Sequence, residues 1–278
     1  MRQDIELLAA FDDHGQGGNP AGVWIGAALP PVAEMAAMAR DVGFSETAFA
    51  APEGEGWRVR YFSPASEVPF CGHATIALGA ALARRHGAGR FALTLNAAAI
   101  SVEGRQDGAR LQAALQSPPT RSRPAPADLV NAALALFGYV HADLDPRLPP
   151  ACIHAGADHL FLALSSRAAL AAMAYALDAG RALMAAHGLV TIMLAWAEHD
   201  NLFHTRNAFA SGGVLEDPAT GAATAALAGY LRDLDWPHGG RIEVVQGEDM
   251  GMRSLIFAEF GNETGGSIRV SGSARMLR

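Results

Sequence analysis

Only two cysteines, Cys71 and Cys152, occur in 278 residues. That is too few for a disulfide framework and fits a reducing compartment. No apolar run approaches the ~18 residues of a membrane span; stretches such as 168–177 stop well short. Acids at Asp4 and Glu6 fall where a signal peptide carries an unbroken apolar core. These absences predict a cytoplasmic protein with no membrane partner. Basic residues are outnumbered, 21 against 28 acids, for a net charge of −7. A nucleic-acid partner, which calls for a basic face, is therefore not expected. The chain has no Walker A loop, and no glycine fingerprint follows a strand as a dinucleotide site requires. His154 and His159 are five apart, as are His199 and His204, but no Cys-x-x-Cys or His-Glu-x-x-His accompanies them. No metal site is predicted on that spacing.

What is present is a repeat. Residues 60–83, RYFSPASEVPFCGHATIALGAALA, hold a strand end, a turn and a glycine loop opening an apolar helix. The plan returns at 213–232, GVLEDPATGAATAALAGYLR. Setting Gly72-His73-Ala74-Thr75 against Gly221-Ala222-Ala223-Thr224, 149 positions on, brings ATIALGAAL and ATAALAGYL into register. A glycine loop feeding a helix start leaves backbone N–H groups pointing one way, and the helix dipole adds positive potential there. Such a place receives a carboxylate or phosphate. Half the residues are hydrophobic, and the length suffices for two domains with separate cores.

In chain order, the first strand is expected over 5–11, then a glycine loop, Gly15 to Pro20, whose glycines permit positive φ. A strand at 21–25, a helix at 31–42 ended by Gly43, and a strand at 44–49 pairing with 57–62 come next. The 74–86 helix is followed by short strands at 91–95, 100–103 and 109–115. The Pro/Ser-rich segment 117–126 reads as a linker. Beyond it come a helix at 127–137, strands near 151–154 and 159–164, and a helix at 167–176. Strands at 190–197 and 202–209 precede the second glycine helix, with further strands at 241–246 and 255–260. A last strand at 267–270 returns to the first domain. Strands outnumber helices without a regular βαβ series, so the predicted class is α+β. Each of two pseudo-repeated halves is a curled, barrel-like mixed sheet around a central helix. The domains are drawn at 1–118, completed by a strand within 265–278, and at 119–264.

Four residues stand out for chemistry. Glu46 lies between Phe44 and Phe49, a partly apolar setting that suits a carboxyl to general acid/base work; a strand-end Glu in solvent is the plain alternative. His73, at a helix start, either donates to a substrate oxygen or helps end the loop. Asp217-Pro218 is an ordinary helix start, Asp as N-cap and Pro at the first helical position. That leaves unexplained why 216–221 mirrors the first loop. Cys71 is a rival base, because a helix N-terminus activates a thiol. A two-thiol racemase needs a second cysteine before Gly221, where Thr220 stands instead.

Several of these pieces together resemble the PhzF-like phenazine-biosynthesis isomerase family, which shares the diaminopimelate epimerase-like fold with proline racemase. The matching segments are Gly18-Asn19-Pro20-Ala21, 44–49, 60–64, Cys71-Gly72-His73-Ala74-Thr75, 216–221, and Gln246-Gly247 with Met250-Gly251. The resemblance implies two similar domains, a site in the cleft between them, a homodimer, and no cofactor or metal. It implies that Glu46 shuttles the proton, with His73 and Asp217 placing the substrate and the moving proton. It further implies that Gly18, Asn19, Pro20, Gly72, Ala74, Gly221 and Ala222 line the place for a small carboxylate-bearing substrate, ring acids included. Two positions depart from the family. Ala222 replaces a usual serine, and Met252 separates Met250-Gly251 from Arg253. The expected function is a cofactor-independent isomerase. The alternatives are a Cys71-dependent epimerase and a non-catalytic small-carboxylate binding protein, the latter on the hydroxyl missing at Ala222.

Overall fold

The computed structural model describes residues 5–108, 110–261 and 263–277. Asp4 and Ala109, which entered the expectations above, lie outside them. The chain divides into two compact units, Met1–Gln116 with Ser271–Arg278, and Ser117–Val270.

The first unit is a closed barrel of eight strands around one helix. Strand β1 (Ile5–Ala10) pairs antiparallel with β2 (Asn19–Ile25), and β2 runs parallel to β3 (Glu46–Glu53) by way of helix α1 (Val32–Val42). Then β3 pairs antiparallel with β4 (Gly56–Phe62), whose end carries the two-residue β5 (Glu67–Val68). Helix α2 (Gly72–His86) leads to β6 (Gly89–Thr94), parallel to β4, and β7 (Ala99–Asp107) and β8 (Arg110–Gln116) follow as a meander. The late strand β17 (Arg269–Met276) lies against β8 and β1, Leu8 opposite Met276 and Ala10 opposite Ala274, and closes the ring.

The sequence of α2 explains its place. Every residue from His73 to Ala83 is buried, so the helix has no solvent face and belongs inside the sheet. Alanine and glycine let the sheet approach the helix closely, while Ile76, Leu78 and Leu82 fill the space beside it. The tightest crossing is Gly79 against Gly104 of β7: a Cβ on Gly104 would sit 2.2 Å from the Gly79 carbonyl oxygen. Helix α1 packs outside, burying Met35, Met38 and Ala39 against Phe49 and Phe62. It ends at Gly43, left-handed at φ 72°, as the sequence indicated.

The second unit repeats the plan. Strand β9 (Arg121–Pro124) pairs with β10 (Ala151–His154), and β10 with β11 (Asp158–Ala163). Helices α4 (Arg167–Ala171) and α5 (Leu177–His187) carry the chain to β12 (Thr191–His199), parallel to β11 and antiparallel to β13 (Leu202–Ala208). After β14 (Glu216–Asp217), helix α6 (Gly221–Asp233) leads to β15 (Arg241–Gln246), parallel to β13, and to β16 (Ser254–Glu259). Helix α6 is buried on all sides and packs on β9, β10, β11 and β16. Helix α3 (Ala127–Phe137) and α5 cover the outside through Leu129, Leu134, Phe137 and Met184, packed on Leu160, Leu162, Ile192 and Leu194. With a helix on each face, β11 and β12 read as nearly continuous apolar runs rather than alternating ones.

The α+β class and the barrel-around-a-helix plan are as expected, and several local readings are corrected. The glycine loop ends at Gly18; Asn19 and Pro20 are strand residues opposite Ala10 and Ala9. Asp217 is not a helix N-cap: it lies in β14, and Thr220 stands at the N-cap position of α6. The linker segment contains β9, the helix expected over 167–176 stops at Ala171, and α5 was not foreseen. In α5 only Gly180 and Met184 are buried, and Gly180 is there because the Tyr175 ring would lie 2.4 Å from a Cβ. The final strand is longer than 267–270, running over Arg269–Met276.

The helix–sheet crossing gives a stability test. Gly104→Ala forces backbone away from backbone, and overpacking of this kind costs about 1–3 kcal/mol. Gly261→Ala, with nothing within 4 Å of the added carbon, is expected to be neutral by comparison. Urea unfolding of the two variants checks the contrast.

Candidate active site

One end of the first barrel gathers the reactive side chains. Glu46 opens β3, where its Cα partner in β2 is Ala21, so Asn19 and Pro20 sit at the same end. Helix α2 starts there, with Cys71 as N-cap residue and no side chain capping the first turn. The first-turn N–H groups of a helix have no partner within it, so an uncapped start offers them to an anion. Three further groups brace this start. The carbonyl of Cys71 accepts from the Thr75 N–H at 3.0 Å and from the Thr75 hydroxyl at 2.7 Å. With its proton spent there, Thr75 Oγ1 accepts from the Tyr61 hydroxyl at 2.7 Å. Full burial pushes the Tyr61 phenol well above its ordinary range, so it stays a donor.

At the tip, three side chains meet. The Cys71 thiol is 3.6 Å from Glu46 Oε2 and 3.3 Å from His73 Nδ1. His73 Nε2 is 3.5 Å from the same carboxylate oxygen and 3.3 Å from Ser45 Oγ. His73 is buried, and the Glu46 side chain is only 15% exposed, which removes the plain reading of a solvated strand-end Glu. A carboxylate beside an imidazole and a thiol, at the mouth of a helix dipole, can take up a proton and pass it on. The expected residues Gly18, Asn19, Pro20, Glu46, Gly72, His73 and Ala74 all belong to this unit.

Asp217, Gly221 and Ala222 belong to the second unit, and strand pairing relates the two units residue by residue. Phe62 faces Glu67 and Ala208 faces Glu216; Thr47 faces Phe62 and Ile192 faces Ala208. Thus Arg60, two before Phe62, corresponds to Arg206, two before Ala208. Each arginine forks onto the matching glutamate: Arg60 to Glu67 at 2.7 and 2.5 Å, and Arg206 to Glu216 at 3.0 and 2.6 Å. Hydrogen bonding from Arg60 holds Glu67 below the usual carboxylate range. Buried Glu216 is likewise engaged by Arg206. Both pairs pin the short strand that enters the central helix.

The same correspondence sets Glu46 against Thr191, Cys71 against Thr220 and His73 against Ala222. The second unit therefore has no acid, thiol or imidazole where the first has all three. It holds a neutral hydrogen-bond chain instead. Thr191 Oγ1 donates to Asn207 Oδ1 at 3.4 Å, Asn207 Nδ2 to Gln246 Oε1 at 3.1 Å, and Gln246 Nε2 to the Asp217 carbonyl at 2.7 Å. Thr220 donates its N–H to Gln246 Oε1 at 3.1 Å and its hydroxyl to Asp217 Oδ2 at 2.6 Å. Gln246 thus fixes the loop that carries Asp217. The sequence marked Gln246 and Ser45 only as parts of motifs; the roles follow from contacts across strands that sequence separation hides.

The chain ends at His159, whose Nδ1 is 2.8 Å from Thr191 Oγ1. Because Thr191 gives its proton to Asn207, His159 donates through Nδ1 and is neutral. Complete burial lowers its pKa to about 4 from 6.5. The unfolded chain takes up this proton near pH 6.5 and the folded one only near 4. The contribution to stability is therefore full above 6.5 and is lost as pH falls, by about 3 kcal/mol once below 4. Urea unfolding from pH 7.5 down to 4 is expected to show this loss, and His159→Gln to flatten it. An equal slope in the variant would assign the acid sensitivity to other groups.

A closed eight-strand barrel around a buried helix, followed by a second curled sheet around a second buried helix, defines an epimerase-type fold. A family model described as phenazine biosynthesis-like protein matches residues 8–278, and the chain belongs to that family, PhzC-PhzF. It is 32% identical over 275 residues to trans-2,3-dihydro-3-hydroxyanthranilate isomerase of Pseudomonas aeruginosa, covering 96% of this chain and 94% of that protein. A PhzF family phenazine biosynthesis protein of Bacillus anthracis superposes with a TM-score of 0.84 at 21% identity, covering 99% of this chain and 96% of that one. A probable proline racemase of Agrobacterium radiobacter, with bound carbonate, shares the fold more distantly: TM-score 0.66 at 12% identity, covering 98% and 90%. The chain is an isomerase. Among the described residues no helix is long and apolar enough to cross a membrane.

Proposed function

We propose that this isomerase works without a cofactor, as a cytoplasmic homodimer, moving one proton on a small carboxylate-bearing substrate, with Glu46 as the acid/base. The observation that carries this reading is the asymmetry of the repeat. Glu46, Cys71 and His73 correspond to Thr191, Thr220 and Ala222. A racemase that works from two faces needs a base on each side. With an acid, a thiol and an imidazole at these matched positions in one unit alone, the proton leaves and returns on a single face, which is an isomerisation. The chain also has no lysine, so a Schiff-base route to carbanion stabilisation is closed to it.

In this mechanism the Glu46 carboxylate takes a proton from a carbon conjugated with the substrate carboxylate. The negative charge that develops is met by N–H groups at the start of α2, fixed donors of a kind often worth about 3 kcal/mol each. His73, 3.5 Å from Glu46 Oε2, orients the carboxyl and keeps the proton available. Glu46 then returns the proton to a second carbon of the same conjugated system, with no net change in charge or oxidation state. Asp217 and the helix start at Gly221 are assigned to holding the substrate. The ring acid named for the Pseudomonas relative heads the compounds to test. Ala222, lacking the family's hydroxyl, is the observation that favours a second reading, binding without turnover.

Proton–deuterium exchange in heavy water, followed by NMR over a panel of amino and cyclic hydroxy acids, tests this directly. Glu46→Gln is expected to lose exchange by about 10²–10⁴-fold, the usual share of general acid/base catalysis. Cys71→Ser is expected to stay within about tenfold of wild type, since its thiol is not the base in this scheme. Exchange abolished by Cys71→Ser and kept by Glu46→Gln would move the protein to the cysteine-dependent epimerases. Ligands that shift the melting temperature without exchanging would favour the binding reading.

A further inference from the structure

The cluster at the start of α2 has a second chemical capacity, separate from proton transfer. Glu46, Cys71 and His73 each present one donor atom, and the three lie within 4.8 Å of one another. They are a carboxylate oxygen, a thiol sulfur and an imidazole nitrogen. Ideal Zn–S, Zn–N and Zn–O bonds of about 2.3, 2.0 and 2.1 Å around a tetrahedral ion place donors about 3.4–3.6 Å apart. Here sulfur to carboxylate oxygen is 3.6 Å and Nε2 to the same oxygen is 3.5 Å. Sulfur to Nε2 is 3.9 Å. The three donors already stand at the corners of such a site, within about half an ångström.

We propose that Glu46, Cys71 and His73 form a three-ligand site for a soft divalent cation of the Zn²⁺ class, and that its occupation arrests the isomerase. The donor set selects the metal: thiolate with imidazole favours zinc or cobalt over magnesium or calcium, which prefer oxygen alone. The cluster is partly buried, with Glu46 carried by β3, Cys71 at the N-cap of α2 and His73 in its first turn. Binding is a ligand exchange: the thiol and any carboxyl proton are released to solvent as the ion enters, and no electron moves. Three protein ligands leave the fourth position to water or to a substrate carboxylate. The arrest of turnover rests on the role given to Glu46 above, since a metal-bound carboxylate cannot take a proton from carbon. The site itself does not rest on it. The sequence did not predict this site, because its members are 25 and two positions apart and match no short metal-binding spacing.

The test uses Co²⁺ and Zn²⁺ alone, on the full chain without substrate. Cobalt titration of the reduced protein is expected to give a thiolate-to-metal charge-transfer band that saturates at one ion per chain and is displaced by zinc. Cys71→Ser and Cys71→Ala should both lack the band, and His73→Gln should bind zinc about tenfold or more weakly. Circular dichroism confirms that each variant is folded. A missing band in wild type, or zinc affinity unchanged in both Cys71 variants, would overturn the site and place the ions elsewhere, such as the His204, Glu198 and Glu248 group. Deuterium exchange is then measured with and without zinc. Zinc bound at Cys71 while exchange continues would keep the site and overturn its inhibitory effect, together with Glu46 as the base.

Discussion

Burying a helix on every side is the constraint from which the rest follows. A helix with no solvent face has to fit inside a ring of eight strands, so α2 is rich in alanine and glycine beside buried Ile76, Leu78 and Leu82, and touches β7 backbone to backbone at Gly79 and Gly104. Its amide groups are satisfied by its own turns except at the start. The start must therefore emerge at a barrel end, where polar groups can meet it. Tyr61 and Thr75 hold Cys71 in place from inside. Rigidity there comes from packing and not from a side-chain cap, which keeps the first turn open.

The two units share one frame of strand pairings and differ at the helix mouth. The Arg60–Glu67 fork survives as Arg206–Glu216, so the strand-to-helix corner is mechanically the same in both. What changed are the side chains around that corner. In one unit they are ionisable and close together. In the other, hydroxyls and amides satisfy one another through Gln246 and end on a neutral, wholly buried His159. An uncharged network of this kind fixes the position of a single acid, Asp217, without competing for protons.

Much of the architecture was legible because local signals and packing agree. Helix α3 falls over 127–137 as read, bounded by Pro126 and Gly138 with apolar residues at helical spacing, and β10 and β15 match their apolar runs. The misreadings share a cause. Asp217-Pro218 has the composition of a helix start, yet pairing with Asn207 pulls it into a strand. Asn19-Pro20 has the composition of a turn, yet faces Ala10 and Ala9. In both, tertiary pairing overrides propensity. Glu46, His73 and Cys71 could each be singled out in the sequence. Their meeting could not, since it depends on β3 and the start of α2 sharing one barrel end. The matching of Arg60 with Arg206 was hidden by a second loop three residues longer than the first.

The strand that completes the first barrel comes from Arg269–Met276, whereas its neighbour β1 is Ile5–Ala10. Residues 117–268 lie along the chain between β8 and that closing strand. A ribosome therefore delivers the second unit as one continuous stretch, while the first waits with an open seam for a partner more than half the chain away. Closing so long a loop adds only logarithmically to the entropy cost, but contacts of such sequence separation form late. Until then β1 and β8 present unpaired edges, the kind of surface on which nascent chains stick to one another. The order of synthesis thus leaves the barrel that carries Glu46, Cys71 and His73 the last to receive its full set of strands.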